Sequence, residues 1–137
     1  MNWKASAGTQ AAGAVLAEPE AQTRTLPELQ AAQGEWLCAW CHNRVAHDRD
    51  RFSFEGKDEF TFANPEKIQF EIILFSEISG CRQAGAPTLE HTWFPGYAWS
   101  YCVCAECGQH LGWYYIGPEE FVGLIKARIV RALYVRN

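Results

Sequence analysis

The chain has no long hydrophobic run. Nowhere in its 137 residues does an apolar stretch approach the roughly 18 residues of a membrane-spanning helix, so no membrane partner is expected. A secretory leader is also missing from the expected organisation. The short run Ala11–Ala17 near the start is hemmed in by Gln, Glu and Thr and forms no continuous apolar core. Concentrated basic charge is scarce too. The 12 Lys and Arg are scattered, apart from Lys126, Arg128, Arg131 and Arg136, and the formal net charge is -4. Affinity for phosphate backbones needs a basic face, so nucleic acid is excluded as the main partner. Apart from two paired-cysteine turns there is no internal repeat, and the length supports one domain.

What the chain does have is cysteine and tryptophan, six of each. Cys38/Cys41 and Cys104/Cys107 are two Cys-x-x-Cys pairs with 62 residues between them. Four thiolates at this spacing form one tetrahedral zinc site, each pair being a tight turn whose sulfurs converge on the metal. One structural Zn²⁺ would tie an early turn to a late one. Two disulfides would be the alternative, but Cys81 and Cys102 are then left over and nothing marks a secreted product. A reducing, cytoplasmic setting is expected.

Residues 1–34 are rich in Ala, Gln, Glu and Thr with little apolar periodicity, and read as a flexible N-terminal tail. Within them Thr25-Leu26-Pro27-Glu28 has the form of a capping box that would start a short helix through Ala32. The folded domain is expected over 35–137. Phe52-Ser53-Phe54 and Phe60-Thr61-Phe62 flank a polar stretch and predict a hairpin. Ile68 to Leu74 alternates as a half-buried strand, with Asn64-Pro65 as punctuation before it. Gly80, Gly85 and Pro87 predict a loop, followed by aromatic strands from Trp93 to Tyr115. Phe121 to Leu133 fits either a helical stripe or, over Phe121–Ile125, a strand holding a glycine.

Trp93 and Trp99 flank Pro95-Gly96, which demands a turn, and Trp113 lies six residues beyond Cys107. Three indoles around a void would hold a small flat ring. The same rings would serve equally well as an aromatic core cluster beside a metal site. Pattern alone leaves both open.

The segment His91-Thr92-Trp93-Phe94-Pro95-Gly96-Tyr97-Ala98-Trp99, followed by Cys104-Ala105-Glu106-Cys107 and His110-Leu111-Gly112-Trp113, resembles the thalidomide-binding (CULT) domain of cereblon. The likeness runs from Trp36-Leu37-Cys38 to about Leu133. It takes in Asn64-Pro65, Gly85-Ala86-Pro87 and Phe121-Val122-Gly123-Leu124-Ile125. The resemblance implies an all-β, β-tent fold: two antiparallel sheets pinned by the four-cysteine zinc, with strand rather than helix at Phe121–Ile125. It implies a non-enzymatic binding module for cyclic imides (glutarimide, succinimide, thalidomide-type compounds, cyclic-imide C-termini of damaged proteins) or uracil-like rings. Carried over, Trp93, Trp99 and Trp113 are the cage walls and Tyr115 its base. His91 and Trp93 would meet the imide edge, and Asn64 would approach from a neighbouring loop. Tyr115 stands where the animal form has Phe. The animal protein also carries a Lon-like domain and a ligase-docking segment that 34 residues cannot encode, so a free-standing, monomeric, bacterial-type protein is expected.

Two rivals come from other classes. A zinc-pinned thiol enzyme of methionine sulfoxide reductase B type would use Cys102, or Cys81, as nucleophile, but no motif supplies an activating partner. A cage for methylated ammonium would need a carboxylate; Glu90 is adjacent, with its side chain expected to point away from Trp93. With four cysteines completing the metal shell, His42 and His110 are expected to be supporting or surface groups.

Overall fold

The computed structural model describes residues 24–135. Most of the expected tail lies outside them. Helix α1 (Leu26–Ala32) opens on the expected capping box: Thr25 Oγ1 accepts from Glu28 N–H, and Glu28 accepts from Thr25 N–H.

Nine strands follow: β1 (Glu35–Cys38), β2 (Arg44–His47), β3 (Glu59–Ala63), β4 (Gln69–Phe75), β5 (Cys81–Thr88), β6 (Ala98–Cys104), β7 (His110–Ile116), β8 (Glu120–Ile125) and β9 (Ile129–Arg131). They form two antiparallel sheets. The small one runs β2-β1-β9 and the large one β3-β4-β8-β7-β6-β5. Cys38 ends β1 in the small sheet and Cys104 ends β6 in the large one. The cysteine cluster therefore joins the sheets where their strands terminate.

Alternation along the large sheet divides the core in two. Ile73, Phe75, Leu111, Val122 and Leu124 face the small sheet and meet Trp36, Val45 and Ile129. Ile72, Leu74, Trp113, Tyr115 and Phe121 lie in a second cluster with Phe94 and Tyr97. Each fully buried Leu or Phe here stabilises the fold by about 1.5–3 kcal/mol. Membership of both clusters explains why β4 departs from the half-buried strand expected. Its first half alternates, but Ile72 to Phe75 are all buried.

Other expectations are corrected. Phe52-Ser53-Phe54 does not pair with Phe60-Thr61-Phe62; β3 pairs with β4 across the Asn64-Pro65 turn. Phe52 stacks on Phe121 at 4.8 Å, and Phe54 meets Phe94 edge-on at 5.0 Å. Ring burial on the second cluster displaces the strand pairing that local alternation suggested. The expected loop around Gly85 and Pro87 is edge strand β5, whose pairing to β6 is irregular between Ala84 and Thr88. Proline is tolerated there because an edge strand has backbone groups that need no partner. The aromatic strands begin at Ala98 rather than Trp93. Of the two readings of Phe121 to Leu133, the strand over Phe121–Ile125 holds. Glu120–Ile125 is a strand in which Gly123 sits between Trp113 and Leu74 of its neighbours. Among the described residues no helix is long and apolar enough to cross a membrane.

Candidate functional site: a four-cysteine cluster and an aromatic cavity

The two Cys-x-x-Cys turns are built alike. In the first, Cys38 N–H donates to Asn43 O at 2.8 Å and His42 N–H to Cys38 O at 2.9 Å; in the second, Cys104 N–H donates to Gln109 O and Gly108 N–H to Cys104 O, both at 2.9 Å. The residue after each second cysteine is left-handed, His42 at φ 63° and Gly108 at φ 79°. His42 thus serves the cluster through its backbone. Its side chain is exposed.

The four sulfurs lie within 4.8 Å of one another. Cys38 Sγ to Cys107 Sγ is 3.7 Å and Cys41 Sγ to Cys104 Sγ 3.5 Å. A tetrahedron with metal–sulfur bonds of about 2.3 Å has sulfur–sulfur edges of about 3.8 Å, so the set fits a four-coordinate metal ion. Burial, aided by the neighbouring Cys104 and Cys107, pushes the Cys38 thiol up, and burial raises Cys41 to about 11. Burial also opposes ionisation of Cys104, but the N–H groups of Cys107 and Glu106, with Cys41 and Asn43, bring it down to about 7. Four thiolates therefore need a cation among them. Asn43, which sequence reasoning passed over, supports the cluster. Its Nδ2 donates to Gly80 O at 2.9 Å and approaches Cys104 Sγ at 3.7 Å.

A cavity of about 500 Å³ is lined by all six candidate ligand residues: Asn64, His91, Trp93, Trp99, Trp113 and Tyr115. The loop before β6 shapes it. Tyr97 N–H donates to Phe94 O at 2.9 Å, and Gly96 at φ 92° takes the position after Pro95 in a type II turn. Thr92 Oγ1 donates to Tyr97 O at 2.7 Å and closes the loop. Each of the two flanking indoles is locked by its own N–H: Trp93 Nε1 donates to Ala63 O at 3.0 Å, and Trp99 Nε1 to Glu90 O at 2.8 Å. Trp93 stacks on Phe62 at 5.0 Å and meets Trp113 edge-on at 4.9 Å. Tyr115, 2% exposed, is the most buried of the six.

His91 and Trp93 both line the cavity. His91 is left-handed at φ 57°, a strained conformation of the kind that gathers at binding sites. Among the described residues, neither the N–H and C=O of His91 nor the N–H of Trp93 is engaged in a hydrogen bond. Asn64 holds its own loop through Oδ1, which accepts from Glu66 and Ile68 N–H at 2.9 Å each. Its amide donor is left facing no partner among the described residues.

Several lining residues escaped the sequence reading. Tyr101 follows Trp99 by two positions on β6, the spacing of one strand face, and that was the available signal. Phe70, Glu66 and Glu90 also line the cavity. His110 packs against a wall of the cavity. Its ring meets Trp113 edge-on at 4.9 Å, Arg128 Nη1 donates to its Nδ1 at 3.2 Å, and its Nε2 pairs with Gly112 O at 2.9 Å. Burial, with the Arg128 charge alongside, lowers it to about 4, so at neutral pH it is an uncharged brace behind a cavity wall. The thiols outside the cluster are poor nucleophiles by position. Cys102 is 0% exposed, and a hydrogen bond to Cys102 together with burial raises Cys81.

No protein-family model matches the chain. It is 32% identical over 75 residues to protein cereblon of Gallus gallus, covering 50% of this chain and 17% of that protein. Against the cereblons of Drosophila melanogaster and Drosophila erecta, identity is 31% and 29% over 98 residues, or 65% of this chain and 17% of each relative. The chain therefore spans about a sixth of the length of these relatives. Over half or more of its own length it is similar to one part of cereblon, and it carries a cereblon-like domain.

Proposed function

We propose that this chain is a small-molecule binding module that takes cyclic imides or uracil-like rings into its tryptophan cage, with one structural zinc holding the cage in place. The observation that carries this reading is the coincidence of flat aromatic walls with unengaged backbone groups at His91 and Trp93 on one cavity. A cyclic imide presents an acceptor–donor–acceptor edge. A backbone C=O flanked by N–H donors is its complement, and the indoles cover the ring faces. Leaving one such buried group unpaired costs roughly 1–3 kcal/mol, so the polar edge supplies selectivity while the rings supply contact area. The protein takes no covalent part. Cys38, Cys41, Cys104 and Cys107 would hold the ion, which supplies the junction between the sheets; four thiolates in a tetrahedron suit zinc.

The test is a titration of the purified protein with thalidomide, uridine and a peptide ending in a cyclic imide, followed by tryptophan fluorescence, with metal content by elemental analysis. Trp99→Ala should abolish imide binding while zinc stays near one per chain. Retained affinity in that variant would make the indoles core residues only.

A further inference from the structure

The charge at the cavity is one-sided. Glu66 and Glu90 both line it and both are exposed, whereas no Lys or Arg does. Lys67 follows Glu66 in the turn without lining the cavity, and the Arg128 guanidinium stands behind the Phe70 ring at 5.7 Å, facing His110. Among the described residues, neither the Glu66 nor the Glu90 carboxylate is part of an ion pair or hydrogen bond. The main chain that carries them is anchored: Glu66 N–H donates to Asn64 Oδ1 at 2.9 Å, Glu90 N–H to Thr88 Oγ1 at 3.1 Å, and Glu90 O accepts from Trp99. Two unpaired acidic residues lining an aromatic cavity attract cations through both the charge and the rings. The cavity is also larger than one six-membered ring needs, and the exposed Ile68 and Tyr101 extend its apolar wall outward.

We propose that the site selects rings that carry a cationic substituent, and discriminates against anionic ones, through Glu66 and Glu90. This rests on the imide and uracil reading above. The ligand class is then an imide or uracil-like ring with an ammonium or guanidinium a few bonds away, either a free amine or a modified peptide end with a Lys or Arg before the ring. Phosphorylated uracil compounds are disfavoured.

The experiment uses the full, zinc-loaded chain and three glutarimides that differ only in an appended ammonium, acetamide or carboxylate, with imide-ended peptides bearing Lys or Glu before the ring as a second set. Affinity is read by tryptophan fluorescence at low and high ionic strength. Two partly screened carboxylates give the ammonium compound roughly a tenfold advantage over the carboxylate at low salt, and the gap narrows at high salt. Glu66→Gln combined with Glu90→Gln collapses the gap. A selective gain in the peptide set only would assign the ligand to protein ends; a gain in both sets, to the shared chemistry. Equal affinities within both sets would overturn the proposal and leave the imide reading standing. Tetramethylammonium binding as tightly as the ammonium glutarimide would overturn it as well, by making the site a cation cage. If no glutarimide binds at all, the imide reading falls and takes this inference with it.

Discussion

Replacing Gly112 by Ala tests the packing that places Trp113. Gly112 lies opposite Leu124, between β7 and β8. A Cβ built there would sit 2.0 Å from Gly123 O, 2.9 Å from Leu124 Cα and 3.0 Å from Gly123 C. All three are backbone atoms of a paired strand and cannot rotate away, so the two central strands must part by more than an ångström. Overpacking of this sort costs about 1–3 kcal/mol, and rigid neighbours put it at the upper end. The smaller entropy of the unfolded Ala chain returns about 0.4–1 kcal/mol, leaving a net loss of about 2 kcal/mol or more. For a domain of this size that lowers Tm by roughly 8 °C or more. Gly123→Ala is the control. Its nearest atom is the Ile72 Cδ1 methyl at 2.9 Å, followed by Tyr115 and Leu74 side chains at 3.4 and 3.5 Å. A rotating methyl relieves much of that, and a loss of about 1 kcal/mol is expected. Thermal melts at fixed zinc measure both, and a ligand titration at a temperature where both are folded should show weaker imide binding for Gly112→Ala. If Gly112→Ala melts within about 2 °C of the parent, or Gly123→Ala is the worse of the two, the backbone-contact argument is wrong.

Three further outcomes follow from the site. Cys104→Ser, or strong chelation of the parent, should unfold the domain, because metal binding and folding are one equilibrium at such a centre; a folded, ligand-competent metal-free protein seen by circular dichroism would contradict this. His42→Gly should raise Tm by a few degrees, since a left-handed non-glycine residue costs about 1 kcal/mol and Gly108 already fills the matching position; a lower Tm would assign the imidazole a structural role. His110 is neutral in the fold at about 4 and ordinary, near 6.5, when unfolded. The unfolded chain therefore binds one more proton between those values, and stability falls as pH drops from about 6.5 to about 4, by about 1.4 kcal/mol per pH unit at most. His110→Gln should flatten that slope in urea titrations relative to the parent, and identical slopes would refute it.

Legibility varied with the range of the interaction responsible. The capping box at Thr25 and the Pro95-Gly96 turn were readable because a few adjacent residues determine them. The hairpin expected at Phe52–Phe54 was misread because its rings found better partners in Phe121 and Phe94, distant in sequence. β5 was misread because glycine and proline signal loops locally, whereas an irregular edge strand tolerates both. Glu66, Glu90 and Phe70 reach the cavity from separate loops and strands, and no spacing rule brings them together.

By itself the sequence placed four cysteines at metal-binding spacing and set Trp93 and Trp99 on either side of a Pro-Gly turn, since thiol spacing and turn-forming residues act over a few bonds. Only the tertiary structure decided which strands are neighbours, that His110 packs against Trp113, and that Glu66 and Glu90 line the cavity. Those outcomes depend on burial shared between segments tens of residues apart. A side chain's role there is fixed by what packs against it, which its neighbours in the chain do not encode.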